Sequence, residues 1–347
     1  MDDWISVHAF HQGDLDTLLS KAVVPIVDWF ADSGSCARWF FLRYWEGGPH
    51  LRLRARPTPG HANEVREYMM RSLHGYLRAN PSEPALDAAA YERLAAELAG
   101  REHLTSYERT LRPNDSVAPV PYRPEYTVYG TGRSMAATER HFAQSSQIAL
   151  RVVASGMPRA RRTGMCLSAS LLALAVLEPD LARVAKAFAA TVADWDVRAP
   201  YPPEFSARLD SAFVDRRTAL RMHAARVWEL TSVAGPGQAD PGQVGLLARE
   251  PDLACWLASL RELHGTLENI ARDGGLPSEP APSPYSPCLA YLSGDQRVMA
   301  GILLRCVHLL ANRMGLTVPD ESQVIYLVCR TLADFATCDG RLTGEEL

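Results

Sequence analysis

Lysine is nearly absent from the chain: only Lys21 and Lys186 stand among its 36 basic residues, and the rest are arginine. A GC-rich genome, which favours arginine codons, is the simplest explanation of that bias, but it says nothing about where the arginines lie. The net charge of -4 and the pI near 6.2 argue against a nucleic-acid partner bound through bulk positive charge. Any anion site must therefore be local.

Paired cysteines and the usual signatures of nucleotide, hydrolase or metalloprotease chemistry are missing too. No GxGxxG, Walker loop, GxSxG or HExxH motif occurs. The cysteines form no CxxC pair, so neither a metal site nor a disulfide framework is indicated, and we expect most of them in the core. They are Cys36, Cys166, Cys255, Cys288, Cys306, Cys329 and Cys338.

Targeting and membrane signals are absent as well. The N-terminus, MDDWISVHAF, has neither a basic segment nor an apolar one, and no apolar run approaches ~18 residues. We therefore expect a soluble, cytoplasmic protein with no membrane partner. Its oligomeric state is left open.

The hydrophobic pattern changes from strand-like to helical along the chain. Alternation in 4–10 and 38–56 predicts strands, and the Tyr- and Pro-rich stretch 105–132 predicts two short extended segments. Helical spacing then dominates. This pattern favours an α+β fold, with a small β-sheet and hairpins in the N-terminal third packed against a mainly helical bundle. We predict a single domain over 1–347, with strands mostly within 4–131 and helices dominating 134–340.

A polybasic strand stands out within RWFFLRYWEGGPHLRLRAR. His50, Arg52, Arg54 and Arg56 alternate with apolar residues, so they share one strand face. Such a face is often the solvated side of an edge strand. The preceding strand, RWFFLRYW, is too apolar to be exposed, however, and arginines on an internal sheet need carboxylates or a bound anionic or polar ligand.

Three other residues are candidates for chemistry or binding. On the helix predicted for RCVHLLANRMGL, His308 is either a packed histidine at the edge of the core or a general acid/base. In PYRPEYTVYGTG, Tyr129 belongs either to a tyrosine-rich hairpin or to a cleft. Tyr285, in a Pro-rich loop, is either a packed anchor or a cleft-lining phenol.

Taken in order, four motifs resemble one family. WFFLRYWEGGPHLRLR, YRPEYTVYG, HFAQSS and HLLANRMG are similar to the C-terminal, elimination-type module of class I lanthipeptide dehydratases, from about Trp4 to Leu332. Proteins of this module that stand alone are typical of thiopeptide biosynthesis. The resemblance implies one of two activities. Some members eliminate glutamate from glutamylated Ser or Thr, whereas pyridine synthases join two dehydroalanines by a formal aza-[4+2] cycloaddition, with loss of water and leader peptide.

One position distinguishes the two activities. Eliminating members usually carry Y-x-P-E-x-x-R-Y-G-G, and the arginine handles the glutamyl group. Here the motif reads Tyr122, Pro124, Glu125, and then Val128 where that arginine would stand. A charged hydrogen bond to a carboxylate is worth roughly 1.5–3 kcal/mol, so an eliminase without it should be tenfold slower or worse. The sequence therefore favours the pyridine synthase.

The resemblance also implies residue roles. We predict His308 as the acid/base, with Arg52 and Arg54 stabilising charge that develops on oxygen. The partner would be a modified precursor peptide, with its leader bound away from the chemistry, and no cofactor is implied. The predicted substrate-binding residues are Arg43, Tyr44, Trp45, His50, Tyr129, Tyr285 and Asn312.

Two alternatives stay open at this point. The chain could be the glutamate-eliminating subunit of a split dehydratase, or a non-catalytic subunit that binds the leader. The cyclase prediction requires Arg52, Arg54 and His308 to converge on a single shielded hollow.

Overall fold

A computed structural model of the chain describes residues 4–101, 104–198, 202–232 and 250–339. The strands are β1 (Ile5–Phe10), β2 (Cys36–Tyr44), β3 (His50–Pro57) and β4 (Ser116–Pro119). The helices are α1 (Leu15–Leu18), α2 (Val24–Ser33), α3 (Ala62–Ala79), α4 (Ala88–Arg101), α5 (Tyr126–Tyr129), α6 (Arg133–Ala154), α7 (Arg159–Leu177), α8 (Leu181–Arg198), α9 (Pro203–Ser232), α10 (Pro251–Arg272), α11 (Gly294–Arg313) and α12 (Val318–Asp339). Strands early and helices afterwards confirm the predicted α+β class.

The chain forms two compact units whose segments alternate along the sequence. The first, which we call the sheet unit, comprises Met1–Pro124, Phe142–Met157 and Asn312–Gly315. The second, the helical unit, comprises Glu125–His141, Pro158–Ala311 and Leu316–Leu347. Neither is a single continuous stretch of sequence. That residues 1–347 act as one domain stays a prediction.

One antiparallel sheet organises the described part of the sheet unit, with strand order β2-β3-β1-β4. Leu51, Leu53 and Ala55 of β3 are fully buried, whereas the intervening arginines are half-buried, so the predicted alternation is confirmed. Helix α3 packs against β1, β3 and β4, and α2 packs against β2. These helices bury the apolar face because α3 presents its own apolar stripe at helical spacing.

The turn between β2 and β3 requires glycine. Gly47 and Gly48 have φ angles of 84° and 108°, which side chains other than glycine rarely adopt. A Cβ at Gly48 would also lie 2.8 Å from the Leu111 Cδ1 atom. The Gly-Gly-Pro motif therefore closes the predicted hairpin.

The outer edge of β2 is covered by side chains that come from much later in the chain. The Phe41 N–H donates to Ser146 Oγ (3.2 Å), and Arg313 Nε donates to the Phe41 carbonyl (2.9 Å). The amide of Asn312 accepts from the Arg43 N–H (3.0 Å) and donates to the Arg43 carbonyl (2.9 Å). These bonds satisfy backbone groups that an edge strand would otherwise leave open to another chain.

This arrangement changes the interpretation of two predicted substrate-binding residues. Both the oxygen and the nitrogen of the Asn312 amide form hydrogen bonds to the backbone at the edge of the sheet. Arg43 donates from Nη2 to Asp16 (2.5 Å) and from Nε to the Arg313 carbonyl (3.1 Å). We therefore assign Asn312 and Arg43 to the architecture of the sheet unit.

Replacing Asn312 with alanine is expected to lower the free energy of unfolding by about 2–4 kcal/mol, because two backbone groups lose their partners. Urea denaturation of the purified variant measures this loss. Asn63→Ala is the matched control, since Asn63 is exposed on α3 and should change stability by less than about 0.5 kcal/mol. Equal stability of the two variants would contradict the structural role.

Helix α7 lies in the core of the helical unit. Its length and apolar composition would suffice to cross a membrane, but 56% of its most apolar window is buried within the protein. It packs against α9, α10 and α12. This burial is typical of the central helix of a soluble bundle.

Two local predictions need correction or refinement. The stretch 105–132 contains one strand, β4, while its second predicted extended segment is the helical turn α5. Near the N-terminus, a π-helical turn at Leu19–Val23 separates α1 from α2, and Pro25 follows in the first turn of α2. The cysteines at 166, 288, 306 and 329 are buried as expected, whereas Cys255 is exposed and the Cys338 side chain lies outside the described residues.

Candidate active site

The basic face of the sheet unit holds its arginines against aromatic rings. The Arg52 guanidinium carbon lies 3.6 Å from the centre of the Tyr44 ring. Arg54 lies 4.5 Å from the centre of Tyr122 and 5.3 Å from that of Phe40. Stacking of this kind fixes a guanidinium without neutralising it, because the ring supplies only its quadrupole. Because Arg52 also pairs with the Glu46 carboxylate, the positive charge of this face is only partly retained.

His50 and Glu46 hold Arg52 in place. His50 Nδ1 donates to the Gly48 carbonyl (2.8 Å), so its Nε2 is the acceptor for Arg52 Nε (3.1 Å). Glu46 Oε2 accepts from Arg52 Nη2 (3.3 Å). Since His50 is fully buried, it does not serve as the substrate contact we predicted. Its role is to orient Arg52.

His8 is a site residue that sequence reasoning missed. It lies directly opposite Arg52 in the register of β1 and β3, and its ring stacks on that of His50 with centroids 4.9 Å apart. Its imidazole makes no hydrogen bond to any residue that the structure describes. The alternation in WISVHAF could have identified it, because position 8 shares the strand face that the arginines occupy.

Burial and positive neighbours keep both imidazoles neutral. Desolvation, then His50 and the nearby arginines, lower the pKa of His8 to about 2. Desolvation and the same arginines lower the pKa of His50 to about 3, against the opposing effect of the Gly48 carbonyl. The face therefore combines fixed cations with neutral imidazoles, which suits a polar or negatively charged group on a ligand.

For Tyr44 and Trp45, which lie on this face, substrate binding remains a prediction. Tyr44 and Trp45 are half-buried, and their rings stack at 5.7 Å. Tyr129, in the helical unit, is instead almost completely buried, and desolvation raises the pKa of its phenol well above the usual value. A ring that is 1% exposed cannot stack on a ligand, so we no longer count Tyr129 among the substrate contacts.

A second set of groups lies in the helical unit, at the ends of α11 and α12. His308 Nδ1 lies 2.7 Å from Glu321 Oε1, in the first turn of α12. With the carboxylate accepting from Nδ1–H, the neutral ring carries its lone pair on Nε2. The imidazole is 41% exposed, so this nitrogen can reach a ligand. Glu321 was not among the sequence candidates.

A narrow pocket begins beside this pair. Its polar side chains are His308, Glu321, Ser170, Ser283 and Tyr285, and it is otherwise lined mainly by apolar residues. Tyr285 is held there because Gly301 of α11 lets the Pro-rich loop pack closely: a Cβ at Gly301 would lie 2.8 Å from Ala281 backbone atoms. Both alternatives for Tyr285 therefore apply, since it is packed and also lines the pocket.

These groups offer proton transfer and charge stabilisation. The His308–Glu321 pair can take and return a proton, and the basic face can stabilise negative charge. Among the described ranges, no three His, Cys, Asp or Glu side chains lie close enough together to hold a metal ion. The convergence of His308 with Arg52 and Arg54 stays a prediction.

Residues 4–332 match the family described as lantibiotic biosynthesis dehydratase, C-terminal part, which confirms the resemblance and its extent. Similar folds include a pyridine synthase, TbtD, from thiomuracin biosynthesis (20% identity, TM-score 0.70, 96% of this chain and 99% of that one). TsrL is similar at 19% identity and TM-score 0.61, over 99% of both chains. The tRNA-dependent lantibiotic dehydratase MibB from Microbispora sp. 107891 matches at 18% identity and TM-score 0.54, over 98% of this chain and 29% of that one. Curated protein sequences give no match.

Proposed function

Because the chain belongs to the lantibiotic biosynthesis dehydratase C-terminal family, we propose that it is a thiopeptide pyridine synthase. It joins two dehydroalanines of a modified precursor peptide by a formal aza-[4+2] cycloaddition, and then releases water and the leader peptide. The observation that carries this proposal is Val128, an apolar residue at the position where eliminating members hold a glutamyl-binding arginine. The fold of TbtD, a pyridine synthase matched over nearly its whole length, supports it.

The substrate is a long, thiazole-bearing peptide in the cytoplasm. Bringing two distant dehydroalanines together is mainly an entropic problem, and holding them in reactive geometry can lower the barrier by about 7–11 kcal/mol. Half-buried Tyr44 and Trp45 are suited to stack on thiazole rings. Arg52 and Arg54 bind carbonyl oxygens and keep their positions through the contacts with Tyr44, Tyr122 and His50.

Ring formation needs a proton shuttle. One amide must become its iminol tautomer, which loses a proton from nitrogen and gains one on oxygen. His308 carries out this transfer through Nε2, and the Glu321 carboxylate stabilises the imidazolium that forms. Two carbon–carbon bonds then close the ring. One joins the two methylene carbons, and the other joins the second α-carbon to the iminol carbon.

The proposal is tested by incubating the purified protein with a synthetic leader-bearing peptide that contains two dehydroalanines separated by thiazoles. Mass spectrometry should find a pyridine-centred macrocycle that is lighter by water and the leader, together with the leader as an amide. A substrate of unchanged mass and unchanged thiol reactivity, with several cognate leaders, would contradict cyclisation.

Glutamate elimination is the second candidate, because Arg52, Arg54 and His308 are all present and a dehydratase of this family shares the fold. A glutamylated peptide that loses glutamate when incubated with this protein would favour it. A subunit that only binds the leader would differ from both, since His308→Ala and Arg52→Ala would then leave the output of the pathway intact.

Introducing an arginine at Val128 separates the two catalytic candidates. In a cyclase, Val128→Arg is expected to leave ring formation unchanged or to slow it, because a half-buried apolar position receives a charge. In an eliminase the same change should speed glutamate loss by roughly tenfold or more. Both reactions are followed by mass spectrometry after treatment with a thiol that adds to dehydroalanine. Thr127→Arg adds the same charge at the exposed neighbouring position and serves as the control.

A further inference from the structure

The pocket beside His308 ends at the Tyr285 phenol, which lies beside the Ser170 hydroxyl. The Tyr285 hydroxyl is buried and makes no hydrogen bond of normal geometry with the described residues. The nearby Ser170 hydroxyl donates instead to the Cys166 carbonyl (2.8 Å). Ser170 and Tyr285 both line the pocket, and Ser170 affects the pKa of the Tyr285 phenol, so the hydroxyl end of the ring faces this space.

Buried hydroxyl donors are nearly always satisfied, by protein or by an ordered small group. The space open to the centre of a water molecule in this pocket is about 20 Å³, which is room for a single water. Burial raises the pKa of Tyr285 well above its usual value, so the group stays a neutral donor at working pH. Leu304, Val307 and Val324 form apolar walls, and the other polar side chains in the lining are Ser170, Ser283, His308 and Glu321, enough for the two to four polar partners that a bound oxygen needs.

We propose that the Tyr285 pocket is a binding site for one hydroxyl-sized oxygen, and that this oxygen is the hydroxyl expelled during aromatisation. The assignment rests on the proposed pyridine-synthase function. Cycloaddition leaves a hydroxyl on the former carbonyl carbon of the new ring. A proton first moves from the ring methylene of the first dehydroalanine to the ring nitrogen, which converts the C=N bond of the cycloadduct into an N–H enamine. In the next step this nitrogen forms a double bond to the hydroxyl-bearing carbon and releases its proton to solvent.

The carbon–oxygen bond breaks in the same step, and the oxygen keeps the electron pair. It takes a proton from protonated His308 and is released as water, hydrogen-bonded by the Tyr285 phenol. His308 stands at the mouth of the pocket, where the reacting ring is accessible, and Tyr285 lies at its buried end. The pocket therefore admits the departing oxygen and excludes the bulkier leader amide, which must leave by another route.

The test uses the full-length protein and a thiol that adds to dehydroalanine. A ring that has closed but kept its hydroxyl has the same mass as the linear substrate, yet it no longer adds thiol at the two dehydroalanines. Tyr285→Phe is expected to accumulate this species and to slow release of water by roughly 10- to 100-fold. Tyr291→Phe is the matched control: its hydroxyl also makes no hydrogen bond with the described residues, but it lies outside the pocket lining.

A second variant leaves the phenol in place. Val307→Ile adds one methylene group, close to the volume of a water, and should cause the same accumulation by filling the pocket. Pyridine formation at the wild-type rate in both variants would overturn the inference. Variants whose substrate still adds thiol at the two dehydroalanines would overturn it too, because the block would then precede ring closure. If the wild-type protein itself forms no ring, the proposed function fails instead. A crystal structure without an ordered oxygen at the Tyr285 hydroxyl would overturn the site independently of activity.

Discussion

Replacing His308 with alanine is expected to lower the rate of ring formation by roughly 10²- to 10⁴-fold, the usual contribution of a positioned acid/base. The reason is that the proposed proton shuttle uses Nε2, the ring nitrogen opposite the Glu321 contact, on an imidazole that is 41% exposed. Single-turnover kinetics with a bis-dehydroalanine peptide measures the loss. Affinity for the peptide should change little, because the imidazole contributes to the reaction more than to binding.

Two further variants, at Glu321 and at His264, test the role of His308. Glu321→Gln should slow the reaction by roughly tenfold or more, because an amide cannot stabilise the imidazolium as a carboxylate does. His264→Ala is the matched control, since His264 Nδ1 lies 4.0 Å from Glu268 in a His–Glu pair outside the pocket lining. Equal losses at His264 and His308 would contradict the assignment.

The sheet unit is expected to become unstable in mild acid. The pKa values of His8 and His50 are lowered from 6.5 to about 2 and about 3. Between these values and 6.5, the two histidines are therefore protonated in the unfolded chain but neutral in the folded protein. Their contribution is therefore complete above pH 6.5 and is lost as the pH falls toward the folded values. At pH 5 each histidine should cost about 2 kcal/mol, or about 4 kcal/mol together, relative to neutral pH.

Urea denaturation at pH 7.5 and pH 5, followed by circular dichroism, measures this effect. His8→Phe keeps the ring stacked on His50 and removes one titrating group, so the difference in unfolding free energy between the two pH values should fall by about half. His74→Gln, at an exposed position of α3, should leave the difference unchanged. An identical pH dependence for the wild-type protein and His8→Phe would contradict the prediction.

The parts of the fold with clear periodicity were predictable. Strict alternation around Leu51 and Leu53 identified β3 and its two faces, and a Gly-Gly-Pro turn identified the hairpin. The stretch at 126–129 was harder, because its Tyr, Thr and Val residues favour strands while the backbone forms one helical turn. Tertiary packing around buried Tyr129 overrides a weak local preference.

The sequence identified individual residues of the candidate site, but not most of the contacts between them. The alternation of Arg52 and Arg54 with apolar residues placed them on one face. Their partners Phe40 and Tyr44 lie on the preceding strand of the same hairpin, but Tyr122 comes from a separate segment that the sequence does not link to the hairpin. The partners of His308 and Asn312 were not visible either. Glu321 lies on the following helix, and the Arg43 backbone lies 269 residues earlier. A single sequence carries no signal for such pairings, so Asn312 was taken for a ligand contact when it covers a strand edge.

That covering of β2 has a consequence for biosynthesis on the ribosome. Strand β2 emerges early, but Asn312 and Arg313 follow roughly 270 residues later in the chain. Until they have been translated, the nascent sheet presents its Phe41–Arg43 backbone to solvent and to neighbouring nascent chains. We expect the polypeptide to depend on chaperones during synthesis, and expression fragments that stop before Asn312 to precipitate.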